Sequence, residues 1–136
     1  MNPLSMVPLV LALQFAVFGW RISREIALGD EGRKTWLLVS DYINFSGMLA
    51  VVVFCVIVPL ATHEFPKISE VCLATASVLV VFYPIILAGH YRLFSKSGRS
   101  NYVAKGKDYP YLTSQEGAIL IISLVCAFIA GYVVGK

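Results

Sequence analysis

Charge is scarce in this chain. Asp, Glu, Lys and Arg make up 14% of the 136 residues and hydrophobic residues 58%, whereas soluble domains carry about 25% charged residues. A water-soluble core of this size cannot hide that much apolar surface, so a globular domain in water is excluded. Histidine is nearly absent, with only His63 and His90. The third apolar stretch separates these two, which predicts opposite faces of a membrane and excludes one haem held by both within a single subunit. The three cysteines, Cys55, Cys72 and Cys126, all fall in apolar stretches, without Cys-x-x-Cys spacing or clustered histidines. They read as small buried hydrophobes rather than metal ligands or a redox motif. No Gly-x-x-x-x-Gly-Lys loop is present and nothing points to nucleic acid, so the expectation is no cofactor, no metal and no catalytic signature.

What the chain does have is four long apolar runs, about 3–20, 43–61, 71–89 and 117–134. Each is about 18 or 19 residues long, close to the roughly 20 helical residues that cross a hydrocarbon core about 30 Å thick. The fold class expected is therefore all-α: a polytopic membrane protein with four transmembrane helices in an antiparallel bundle, forming one domain over 1–136. A signal peptide is not expected at the first run, because its basic residues, Arg21 and Arg24, follow the apolar stretch instead of preceding it.

Nine of the eleven Lys and Arg fall on one side when the chain is threaded through these spans. Arg21, Arg24, Arg33 and Lys34 lie in the first connection, about 21–40, and Arg92, Lys96, Arg99, Lys105 and Lys107 in the third, about 91–113; Lys67 and Lys136 lie opposite. The positive-inside rule then makes both connections cytoplasmic and both termini non-cytoplasmic. The basic third connection also suits anionic lipid head groups, with Lys96, Arg99, Lys105 and Lys107 as the contacts.

Local signals refine the elements. Helical spacing continues the first helix through Leu28 to a C-cap at Gly29, with Asp30 capping the next helix. Ser69 suits the N-cap of the third helix, and Tyr83-Pro84 predicts a kink within it. Thr113-Ser114-Gln115-Glu116 fits a capping box for the fourth. Ala127, Gly131 and Gly135 repeat at four-residue spacing, a small-residue ridge that serves either a neighbouring helix of the same chain or an oligomer seam.

Polar groups inside a bilayer are expensive and mark candidate sites. Asp41 and Asn44 share one helical face at the cytoplasmic end of the second span, and His90 and Arg92 end the third span on the same side. A partnership of Asp41 with His90 or Arg92 would relay protons or bind a cation; the competing reading leaves Asp41 at the interface, neutralising nearby Lys and Arg. The sequon Asn44-Phe45-Ser46 lies within a span and is discounted.

Small multidrug transporters resemble this chain in length and helix number. They rely on a glutamate in the first helix, where this chain offers only Gln14, which does not exchange protons. Membrane-associated eicosanoid and glutathione enzymes resemble it in layout, but the Glu-Arg spacing of their second helix is missing around Asn44. Both resemblances end at architecture, and architecture does not assign function. The leading expectation is thus a non-enzymatic accessory subunit that packs against other membrane subunits or copies of itself. The alternative is a small homo-oligomeric transporter or channel using Asp41, Asn44 and His90; the third is a membrane enzyme for a lipid-soluble substrate, using His90, Tyr91 and Arg92.

Overall fold

The computed structural model describes residues 3–32, 34–95 and 111–136, and these are helical apart from short connections. Four helices account for the structure: α1 (Pro3–Asp30), α2 (Val39–Thr62), α3 (Lys67–His90) and α4 (Ser114–Gly135). All four are long and apolar enough to cross a membrane. Each contains one of the apolar runs and extends past it, because helix propensity and capping continue where hydropathy stops.

The ends differ from expectation in three places. Asp30 does not cap α2; it closes α1, and the chain turns at Gly32, whose φ of 73° is a left-handed conformation that glycine adopts without a Cβ penalty. The start of α2 falls instead at Val39, where the Asp41 carboxylate accepts the backbone N–H of Leu38 at 2.7 Å. Ser69 is not the N-cap of α3 either. Pro66 takes that position, and the Ser69 hydroxyl donates across to the carbonyl of Phe54 on α2.

That cross-link explains an irregularity. Between Val52 and Ile57 the α2 backbone adopts π-helical turns, and the N–H of Val58 reaches back five residues to Val53. Proline at 59 has no N–H to return to this turn, so the Phe54 carbonyl would be left without a helical donor. Ser69 supplies one. The register break therefore sits in α2, whereas α3 runs as one continuous helix through Pro84, the site of the expected kink.

Helix α3 is the spine of the molecule, packing against α1, α2 and most extensively α4. The ridge on α4 faces it: Ala127 and Gly131 are buried, and a Cβ at Gly131 would lie 2.7 Å from the Thr75 hydroxyl. A Cβ at Gly135 would come within 3.4 Å of Val71. The small-residue spacing thus serves close approach of two helices in one chain. Two apolar clusters fill the interior. Val7, Val10, Val51, Cys55, Leu73 and Ala76 form one towards the His63 end of the helices. Leu38, Tyr83 and Leu87 form the other near the His90 end, with Val17 and Trp36 packed against them.

Candidate functional site

The His90 end of the bundle encloses ionisable side chains rather than only apolar ones. Asp41 is fully buried. Its position in the first turn of α2, set by the N–H of Leu38, aims the carboxylate between α1 and α3. One oxygen accepts from Arg21 Nε at 3.2 Å and from Leu38 N at 2.7 Å. The other accepts from the Tyr83 hydroxyl on α3. Arg21, only 2% exposed, also pairs with Glu25 one turn along α1 and donates to the carbonyl of Trp36 at 3.2 Å. Glu25 in turn accepts the N–H of Trp36 at 3.2 Å. The segment between α1 and α2 is thereby pinned to α1 at Trp36, whose backbone N–H and carbonyl are both satisfied without regular structure.

A second cluster joins α3 to α4. His90 Nδ1 lies 2.8 Å from Glu116 Oε2, and both residues are buried. An ionised carboxylate only accepts, so in that state Nδ1 carries the hydrogen. Glu116 is at the same time the capping-box residue of α4: its N–H donates to Thr113 Oγ1 at 3.1 Å and its carboxylate accepts the N–H of Thr113 at 3.4 Å. The Thr113 hydroxyl donates to the carbonyl of Gly89 at 3.0 Å, and the Ser40 hydroxyl donates to Glu116 at 3.4 Å. Ser40 precedes Asp41 directly, so the two clusters meet on α2.

Deeper in the helices stand two polar side chains of a different kind. Gln14 and Asn44 are buried, at 0% and 3% exposure, and neither carboxamide has a hydrogen-bond partner. Asn44 lies one turn below Asp41, about 4.5 Å along the axis, and Gln14 two turns from Arg21, about 10.5 Å. The Gln14 amide nitrogen rests against Gly47 of α2, where a Cβ would stand 3.4 Å away. An unpaired buried amide costs about 1–3 kcal/mol, so native interiors rarely keep one without a use.

The sequence-selected residues are therefore only partly brought together. Asp41 does not pair with His90 or Arg92: Arg21 and Tyr83 take the first role, because α3 presents Tyr83 to the carboxylate and turns His90 towards α4. Arg92 stands in the turn that closes α3, with a φ of 54°. Lys96, Arg99, Lys105 and Lys107 lie outside the described residues. Other participants are not among the residues the sequence singles out as candidates, Glu25 and Ser40 among them. Arg21 enters the sequence reading through sidedness and the charge order at the first run, Glu116 as a cap, Tyr83 as the neighbour of Pro84 and Gln14 as a missing glutamate. A buried position for Glu116 was signalled by the apolar residues that follow it immediately; nothing local signalled Tyr83. Among the described residues no group of three or more His, Cys, Asp and Glu side chains is arranged to hold a metal ion. Comparison with protein-family models, curated proteins and solved structures finds no match for this chain.

Proposed function

We propose that the protein is a small multipass membrane transporter for protons or a small cation. Its helices form an antiparallel bundle with both termini on the non-cytoplasmic side. The observation that carries this reading is the line of polar groups leading inward from the His90 end: Glu116 with His90, Asp41 with Arg21 and Tyr83, then Asn44 and Gln14 without partners. Ionisable residues within spans mark ion pathways and proton relays by default. Carboxylates placed beside an imidazole, a hydroxyl and a guanidinium offer a proton successive acceptors, and unpaired carboxamides offer the next ligands to a cation or its water. The basic connections assign this end to the cytoplasm.

The test is flux through the purified protein in vesicles loaded with a pH-sensitive dye, driven by a potassium diffusion potential. Replacing Asn44 by Leu removes an unpaired buried amide at similar volume, which is neutral or stabilising for the fold. Asn44→Leu is therefore expected to keep or raise the melting temperature while proton or cation flux falls at least about tenfold. Flux equal to that of the unaltered protein would overturn the transport reading.

A second reading, an accessory subunit, rests on α4. That helix packs chiefly against α3 and leaves Ile121, Val125, Phe128, Ile129 and Val133 exposed, a face broad enough for a partner helix or a second copy. Native mass spectrometry of the protein extracted gently from its own membrane separates the two readings. A defined mass containing other polypeptides supports the subunit, and a single-chain or homo-oligomeric mass supports the transporter.

A further inference from the structure

The polar line through the bundle stops at a definite place. Gln14 rests its carboxamide against Gly47 of α2, where a Cβ would stand 3.4 Å from the amide nitrogen. Gly47 is three residues from Asn44, and Asn44 three from Asp41. Asp41, Asn44 and the Gln14 amide therefore form a ladder along α2 with steps of about 4.5 Å. One further turn in, Val10 of α1 and Val51 of α2 belong to the apolar cluster with Ala76, and the ladder ends there.

At the top of the ladder two carboxylates share one guanidinium, because Arg21 pairs with both Glu25 and Asp41. The neighbouring Arg24 holds its guanidinium over the Tyr91 ring, 4.2 Å from the ring centre. The trio of Arg21, Glu25 and Asp41 thus carries one more negative charge than positive, in an interior that penalises an uncompensated charge. One monovalent cation balances it, whereas a divalent ion overshoots. Below the trio, Gln14 and Asn44, at 0% and 3% exposure, have no hydrogen-bond partner at nitrogen or oxygen. An amide oxygen offers two lone pairs, and rotation about the last side-chain torsion, which is broad for amides, turns either oxygen into the space between the two side chains. Hard cations take such oxygens in place of water.

We propose that the carboxamides of Gln14 and Asn44 are ligands of a sodium-ion site, with the excess of Asp41 and Glu25 over Arg21 as its counter-charge. The ion arrives from the His90 end and exchanges part of its hydration shell for the two amide oxygens. Val10, Val51 and Ala76 stop it from going further while the helices are packed as they are. The close approach of α1 and α2 at Gly47 restricts the space beside Gln14, which favours sodium over the larger potassium. This inference rests on the transport reading above, whose cargo it names.

The experiment uses the purified full chain in nanodiscs of zwitterionic lipid, first in choline chloride and then with NaCl or KCl replacing choline at constant ionic strength. Melting is followed by tryptophan fluorescence, and the sodium NMR linewidth reports bound ion directly. NaCl is expected to raise the melting temperature by about 3 °C or more and the sodium resonance to broaden, while KCl leaves the melt unchanged. Asn44→Leu and Gln14→Leu should each melt no lower than the parent in choline yet lose both the sodium shift and the broadening. Gln14→Glu keeps an oxygen ligand and should retain both. No shift and no broadening with the unaltered protein would overturn the site. An equal shift with KCl would overturn sodium as its ion, and a shift that both leucine variants retain would overturn the two carboxamides as its ligands. Proton flux in the vesicle assay without any effect of sodium would overturn this site while the transport reading stands. Sodium binding without flux would uphold the site and overturn transport.

Discussion

At the scale of single residues, the Asp41 carboxylate holds three helices together, because its donors come from α1, the start of α2 and α3. Removing one partner of a buried ion pair leaves the other charge uncompensated and costs about 3–5 kcal/mol. Asp41→Ala should therefore destabilise the protein by about that much in a detergent melt or an SDS titration. Tyr83→Phe removes one hydrogen bond to a charged acceptor while Arg21 remains, and should cost about 1.5–3 kcal/mol. A Tyr83→Phe protein as stable as the parent would show that the hydroxyl is not a working donor to Asp41. Asp41, Asn44 and His90 were legible in the sequence because each is a polar side chain in or beside an apolar run. Their partners were not, since the rotation of one helix against another decides whether α3 offers Asp41 a tyrosine or a histidine, and no local pattern fixes that rotation.

Elements show the same division. The start of α4 was readable, because a capping box is made by four consecutive residues, and Thr113 and Glu116 bond as that motif requires. What the motif does not contain is the approach of α3. A Cβ at Gly89 would stand 3.1 Å from the backbone nitrogen of Glu116 and 2.7 Å from Ile119 Cδ1. Gly89→Ala should push α4 away, lengthen the contact of His90 with Glu116 and cost about 1–3 kcal/mol through overpacking. A thermal melt measures the cost, and the imidazole NMR signals of His90 report the lost contact. The π-helical turns of α2 were not legible either, although Pro59 that causes them was in plain view. Proline can kink a helix, break it or be absorbed, and here the absorbing group is a hydroxyl on α3. Ser69→Ala takes that donor away and should cost about 1–3 kcal/mol, whereas in a Pro59→Ala background, where the helix regains its own N–H, the same replacement should cost less. Equal costs in the two backgrounds would mean that the Ser69 hydroxyl does not compensate for the proline.

For the whole molecule, sidedness and assembly matter most. The orientation proposed above puts the connections of α1 to α2 and of α3 to α4 in the cytoplasm, so single cysteines placed at Gly32 and Tyr111 in a cysteine-free variant should be shielded from an impermeant maleimide applied to intact cells. One placed at Glu64 should label; the reverse pattern would invert the bundle. The linear sequence determined the number of helices long and apolar enough to cross a membrane, because hydropathy acts residue by residue against the bilayer and needs no knowledge of packing. Tertiary structure alone decided that Asp41 belongs to Arg21 and Tyr83, that Glu116 belongs to His90, that Gln14 and Asn44 are left without partners, and that the Cys55 thiol meets the carbonyl of Ser69. Each of these is a contact between residues far apart in sequence, fixed by how the side chains of neighbouring helices interlock, and that fit exists only once the helices have packed.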